Sequence, residues 1–133
     1  MRATDPETEL LVLVSRVRTD EKRIFEALER RRVPYRAVDT RQFWGVAAPV
    51  RRPGGLVLNR DISFSRAVYA ARTLEASGRT VVNSAAATEV CGDKWRTTTA
   101  LVEAGLPTPR TALALTPEAA LAACSANRQR RKV

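Results

Sequence analysis

Leu10-Leu11-Val12-Leu13-Val14 is apolar at every position and closes on the polar pair Ser15-Arg16. So short a run, without alternation, fits a strand covered on both faces of a parallel sheet. Downstream the period changes. Ile24, Phe25 and Leu28 share one helical face within Asp20 to Arg32, Thr19 or Asp20 can cap the start, and Pro34 lies beyond the end. Tyr35 to Val38 is a second short strand, and Thr40 to Gly55, with Pro49, Pro53, Gly54 and Gly55, is a loop. Leu56-Val57-Leu58 reads as a third strand and Ser63 to Ala76 as a helix with Val68, Ala71 and Leu74 inward. Thr80-Val81-Val82 is a fourth strand after Gly78. The two β-α-β units predict an α/β, Rossmann-like, doubly wound parallel sheet. Ligands of such sheets lie beyond the carboxyl ends of the strands, which singles out Ser15 to Arg18, Asn59 to Ser63 and Asn83 to Ala85.

After Asn83 the pattern predicts a short helix to about Val90, a break at Cys91-Gly92, and a longer helix from Asp93 to Ala104 stopped by Gly105, Pro107 and Pro109. Arg110 to Leu115 alternates as a strand would, and Thr116-Pro117-Glu118 starts a helix leading to Leu121. The expected organisation is an α/β domain over residues 9–92, a linking helix and the incomplete start of a second domain over 93–124, and a disordered basic tail over 125–133. The abrupt change after Cys124 reads as the mark of a truncated chain, from a frameshift or an early stop.

Composition removes several classes. The chain of 133 residues has no His and two Cys, so neither a Ser-His-Asp hydrolase nor a Cys-His protease can be assembled, and common zinc sites lack ligands. With 44% apolar residues there is enough for a core. The 23 basic residues exceed the 14 acidic ones, which invites a nucleic-acid reading. However, Arg128, Arg130, Arg131 and Lys132 crowd the end of the chain, and no helix-turn-helix, basic zipper or RNA-binding aromatic motif occurs. The expectation is no nucleic-acid partner. Asp5, Glu7 and Glu9 precede the short run at Leu10, which fits neither a signal peptide nor a membrane span, so a cytoplasmic protein is expected. Cys91 and Cys124 then read as reduced, partly buried apolar residues, and Trp44 and Trp95 as packing residues.

Candidate chemistry is sparse. Lys94, in Gly92-Asp93-Lys94-Trp95-Arg96-Thr97, falls in the first turn of a helix, where a cation is disfavoured unless it faces an anion such as phosphate. A solvated pair with Asp93 is the alternative. Asn59-Arg60-Asp61 could offer a fork to a carboxylate, against the plainer reading of an Arg60–Asp61 surface pair. Arg16, Arg18 and Arg66 could line the same crevice. No catalytic residue and no metal ligand set can be named, and no glycine-rich phosphate fingerprint occurs.

Three stretches carry a resemblance: Val81-Val82-Asn83-Ser84, Glu89-Val90-Cys91-Gly92-Asp93-Lys94-Trp95 and Ala104-Gly105-Leu106-Pro107-Thr108-Pro109. They are similar to the junction of the N-terminal and ATP-grasp portions of RimK-like ligases. The CGDKW string, Ser15-Arg16-Val17-Arg18, and Asn59-Arg60 with Ser63, Ser65 and Arg66 most resemble the LysX branch, over roughly residues 9 to 123. The resemblance implies ATP and magnesium as cofactors and an acyl phosphate on a carboxylate, which an amine attacks. The partners it implies are the carrier protein LysW, through its terminal glutamate, and alpha-aminoadipate as the amine. Multimers are common in the family, so a homo-oligomer of the full-length form is implied. Lys94 matches the first ATP lysine, and Arg16, Arg18, Asn59, Arg60 and Arg66 are the candidate substrate contacts. After Lys94 the only carboxylates are Glu103 and Glu118, so a magnesium site cannot be completed and this chain alone is expected to be inactive. Two other readings stay open: a non-catalytic binding module for a carrier or a ligase subunit, and a different RimK-like glutamate ligase.

Overall fold

The computed structural model describes residues 9–46 and 54–129. The chain divides between Gly92 and Asp93 into two compact units.

In the first unit, strands β1 (Leu10–Val14), β2 (Tyr35–Asp39), β3 (Leu56–Asn59) and β4 (Thr80–Val82) form one parallel sheet in the order β2-β1-β3-β4. Helix α1 (Thr19–Arg30) links β1 to β2, α2 (Phe64–Ala76) links β3 to β4, and α3 (Ala85–Gly92) follows β4. The expected α/β parallel sheet is therefore present. Leu11, Val57 and Val81 stand in register across three strands. With Leu13 they form a core against Ala70 and Ala71 of α2 and Ala85 of α3. The small alanines let the helices approach closely. Val12 and Val14 alternate to the other face and are also buried, which explains why β1 shows no polar position. Each such Val or Leu contributes about 1.5–3 kcal/mol by leaving water.

Helix ends follow local chemistry. After α1, Arg32 takes a left-handed φ of 54° and Val33 N–H donates to Leu28 O. After α2, Gly78 (φ 85°) and Arg79 do the same toward Glu75 and Leu74. At the start of α1, the capping residue is Arg18 rather than Thr19 or Asp20. An Arg side chain cannot accept a hydrogen bond, so Glu21, three residues on, accepts the Arg18 N–H at 3.1 Å instead.

Three local expectations are corrected. Cys91-Gly92 does not break the chain, because α3 runs through both residues. Cys91 and Cys124 are free and exposed, not partly buried. Trp44 packs little: it follows the β2 edge of the sheet and 81% of its surface is exposed.

The second unit holds α4 (Lys94–Glu103) and α5 (Pro117–Gln129). Asp93 caps α4 by accepting from Trp95 N–H at 2.9 Å and Arg96 N–H at 3.1 Å. Gly105 (φ 68°) closes it. Residues 110–115 are not a strand: among the described residues only β1 to β4 pair in a sheet. Thr116 Oγ1 accepts Ala119 N–H at 3.1 Å at the start of α5. That helix continues past Cys124 to Gln129, five residues into the segment expected to lack structure. Ala122, Ala123 and Ala126 favour helix whatever the apolar period. The rest of the expected tail, residues 130–133, lies outside the described residues. No helix among the described residues is long and apolar enough to cross a membrane.

Candidate functional site

The sheet order places β1 and β3 side by side, with their crossovers running to opposite flanks. Such a switch point opens a crevice beyond the carboxyl ends of the strands. Here a cleft of about 610 Å3 lies there, lined by Arg18, Asn59, Arg60, Phe64, Asn83 and Thr88 among others.

Two side chains frame it from within the backbone. Asn59, at the end of β3, is buried and donates through Nδ2 to Ala67 O at 3.1 Å and Asn83 O at 3.3 Å. Asn83, with a left-handed φ of 58°, returns a bond from Nδ2 to Asn59 O at 2.9 Å. Both amide protons of Asn59 are thus engaged by backbone carbonyls. The residue ties β3 to α2 and to the turn after β4.

Asp61 forms the second node. Its Oδ1 accepts Ser15 Oγ at 2.9 Å and Ser63 N–H at 2.7 Å, its Oδ2 meets the Thr40 hydroxyl, and Arg66 Nε lies 3.6 Å from Oδ2. Burial pushes this carboxyl up. The donors from Thr40, Ser63 and Ser15, with the Arg66 charge, outweigh that and hold it below the ordinary carboxylate value. Asp61 therefore joins the segments after β1, β2 and β3, and it is not paired with Arg60.

Arg60 turns the other way, to a residue that sequence reasoning missed. Glu21 has no exposed surface and occupies the inward stripe of α1 ahead of Ile24, Phe25 and Leu28. Its Oε1 accepts Arg60 Nη2 at 2.9 Å, Arg60 Nε at 3.2 Å and Arg18 Nη2 at 3.0 Å. Its Oε2 accepts Arg18 Nε at 3.0 Å and the Arg18 N–H. The Arg18 hydrogen bonds chiefly, with Arg60 assisting, overcome burial and hold the Glu21 carboxyl at about 2. One signal was available: an acidic residue at the first position of an apolar helical stripe, with an Arg just after a neighbouring strand.

Of the residues singled out from the sequence, Arg18, Asn59 and Arg60 come together in the cleft. Arg66 reaches Asp61, and Arg16 is exposed in the segment after β1. Lys94 is the first residue of α4, in the second unit, and Asp93 beside it is engaged as the helix cap. For a divalent metal the residues do not fit: among the described residues no three His, Cys, Asp or Glu side chains are grouped to hold one. For ATP, a single lysine at a helix start is too little to grip a triphosphate.

The first unit is thus a parallel sheet with a polar, arginine-lined crevice at its switch point. Residues 10–90 match the LysX preATP-grasp domain, and the chain belongs to that family. It is 36% identical over 117 residues to the glutamate–LysW ligase ArgX of Sulfurisphaera tokodaii, covering 86% of this chain and 40% of the relative. The ArgX of Sulfolobus acidocaldarius is 34% identical over 115 residues, covering 84% and 40%. The chain thus spans about 40% of the length of these relatives. Among solved structures, a RimK domain ATP-grasp protein from Sphaerobacter thermophilus superposes with a TM-score of 0.71 at 26% identity, over 88% of this chain and 45% of the other.

Proposed function

We propose that this chain is the recognition portion of an ATP-dependent carboxylate–amine ligase acting on a LysW-type carrier protein in the cytoplasm. The observation that carries this reading is the arginine-lined cleft at the switch point of a sheet belonging to the LysX preATP-grasp family. The relatives are named for joining glutamate to LysW, which favours glutamate over alpha-aminoadipate as the amine. By resemblance, Lys94 would contribute one contact to an ATP phosphate, and full-length forms would assemble as homo-oligomers.

This polypeptide holds no turnover of its own in this reading. After Lys94 its carboxylates are Glu103 and Glu118, one on each of α4 and α5. Phosphoryl transfer requires metal ions held by carboxylates or carbonyls and several cations around the phosphates.

The test mixes the purified chain with a LysW-type carrier, ATP, magnesium, and either glutamate or alpha-aminoadipate. Saturable binding of the carrier with no gain in its mass is expected. Absence of saturable binding would remove the recognition role, and an ATP-dependent mass gain of one amino-acid residue would remove the claim of inactivity.

A further inference from the structure

Resting on that reading, we propose that the cleft takes the side-chain carboxylate of a dicarboxylic amino acid on Arg18 and Arg60, and that Glu21 is the residue that positions both guanidinium groups.

The first observation is the place of Glu21. It lies on the inward stripe of α1 with no exposed surface, where an aliphatic residue would pack without the cost of removing a charge from water. What the carboxylate achieves is convergence. It brings Arg18 Nη2 to 3.0 Å and Arg60 Nη2 to 2.9 Å of the same oxygen, a proximity that two cations would otherwise resist.

The second observation is charge. One buried anion serves two cations, leaving positive charge over at the wall of the cleft. Asp20 reaches Arg60 only at 4.0 Å from a side chain that is 68% exposed, where water screens it. Asp61 is turned to Arg66, Ser15 and Thr40.

The third observation is geometry. The bonds to Glu21 use Nε and Nη2 of both guanidinium groups, and among the described residues none engages Nη1 of either, which leaves it for a ligand. Guanidinium donors match a carboxylate in shape and charge. The same cleft is lined by Ile62, Phe64, Ala67 and Ala87, which offer an apolar wall to a short methylene stem. Cationic donors beside an apolar wall fit a glutamate-like side chain. That side chain could come from a free amino acid or from the terminal glutamate of a carrier.

Calorimetric titration of the 133-residue chain tests this with four probes: glutamate, glutamine, and two short peptides identical except for a terminal glutamate or glutamine. Saturable binding is expected for the acidic member of at least one pair, on the order of tenfold tighter than for its amide. The pair that discriminates identifies the source. In Glu21→Gln the acid-to-amide affinity ratio should fall toward one, whereas a merely structural role would weaken both members alike. If that variant does not fold by circular dichroism, Arg18→Gln, at a half-exposed side chain, carries the same comparison. Equal binding of acid and amide by the unaltered chain, or an unchanged ratio in a folded variant, overturns the proposal. Carrier capture without acid-to-amide discrimination defeats this inference and leaves the carrier reading standing. Discrimination without carrier capture does the reverse.

Discussion

Glu21 on α1 and Arg60 beyond β3 meet at 2.9 Å across 39 positions of sequence, with the carboxylate withdrawn from water. Replacing Glu21 with Gln keeps the shape and removes the charge that both arginines face, which should cost about 1–3 kcal/mol at neutral pH. Folded Glu21 titrates at about 2 against an ordinary 4.5. As pH falls below about 4.5 the unfolded chain takes up a proton before the folded one does. The stabilisation is therefore complete above that point and is lost on descent toward pH 2. Urea unfolding between pH 2 and 6 should show a shallower slope for Glu21→Gln than for the unaltered chain. Asp39, also held at about 2 chiefly by its Arg41 hydrogen bond, supplies part of the slope that persists.

Arg32 holds a left-handed φ of 54° at the exit from α1, a conformation that costs an L-residue about 1–2 kcal/mol. Arg32→Gly should therefore raise stability by about 1 kcal/mol, although glycine also frees the unfolded chain. A higher thermal midpoint by differential scanning calorimetry checks this. A lower midpoint would show that the Arg32 side chain makes compensating interactions.

Gly92, the last residue of α3, lies so close to Phe64 that a Cβ there would overlap the ring. Phe64 is half-exposed on the cleft wall and can swing. Gly92→Ala should then cost about 1 kcal/mol, near the low end for overpacking. Combining it with Phe64→Ala should cancel the added cost of the alanine, measured as a coupling in a double-mutant cycle by chemical denaturation.

Leu13 is fully buried between β2 and β3 in the centre of the sheet. Leu13→Ala should cost about 2–5 kcal/mol. That is a large share of the 5–15 kcal/mol typical of a folded domain, so the variant should be partly unfolded by far-ultraviolet circular dichroism at modest temperature.

Strong local signals made the sheet legible. Leu10 to Val14 lacks any polar position because both of its faces are covered, and Gly78 and Gly105 stop helices where a left-handed residue is needed. The carboxyl-end rule also pointed to the segments holding Arg18, Asn59 and Arg60. Partnership was not legible. Asp61 adjoins Arg60 in sequence, yet a strand end sends successive side chains to opposite sides, so Asp61 meets Ser15 and Arg60 meets Glu21. Glu21 drew no notice as an acidic residue in a first helical turn, because Arg18 is its neighbour in the same turn and its other cation, Arg60, comes from 39 positions away. The alternation in 110–115 resembled a strand since side-chain pattern carries no information about whether a pairing edge exists.

The order β2-β1-β3-β4 has a consequence for the chain as it is being made. Residues through Asp39 complete the pair of β1 with β2. The opposite edge of Leu10–Val14 then waits, unpaired and wholly apolar, until Leu56–Asn59 has left the ribosome. During that interval the nascent protein displays an adhesive strip that a neighbouring chain could occupy. The pace of translation between Thr40 and Gly55 thus sets how long that strip stays open.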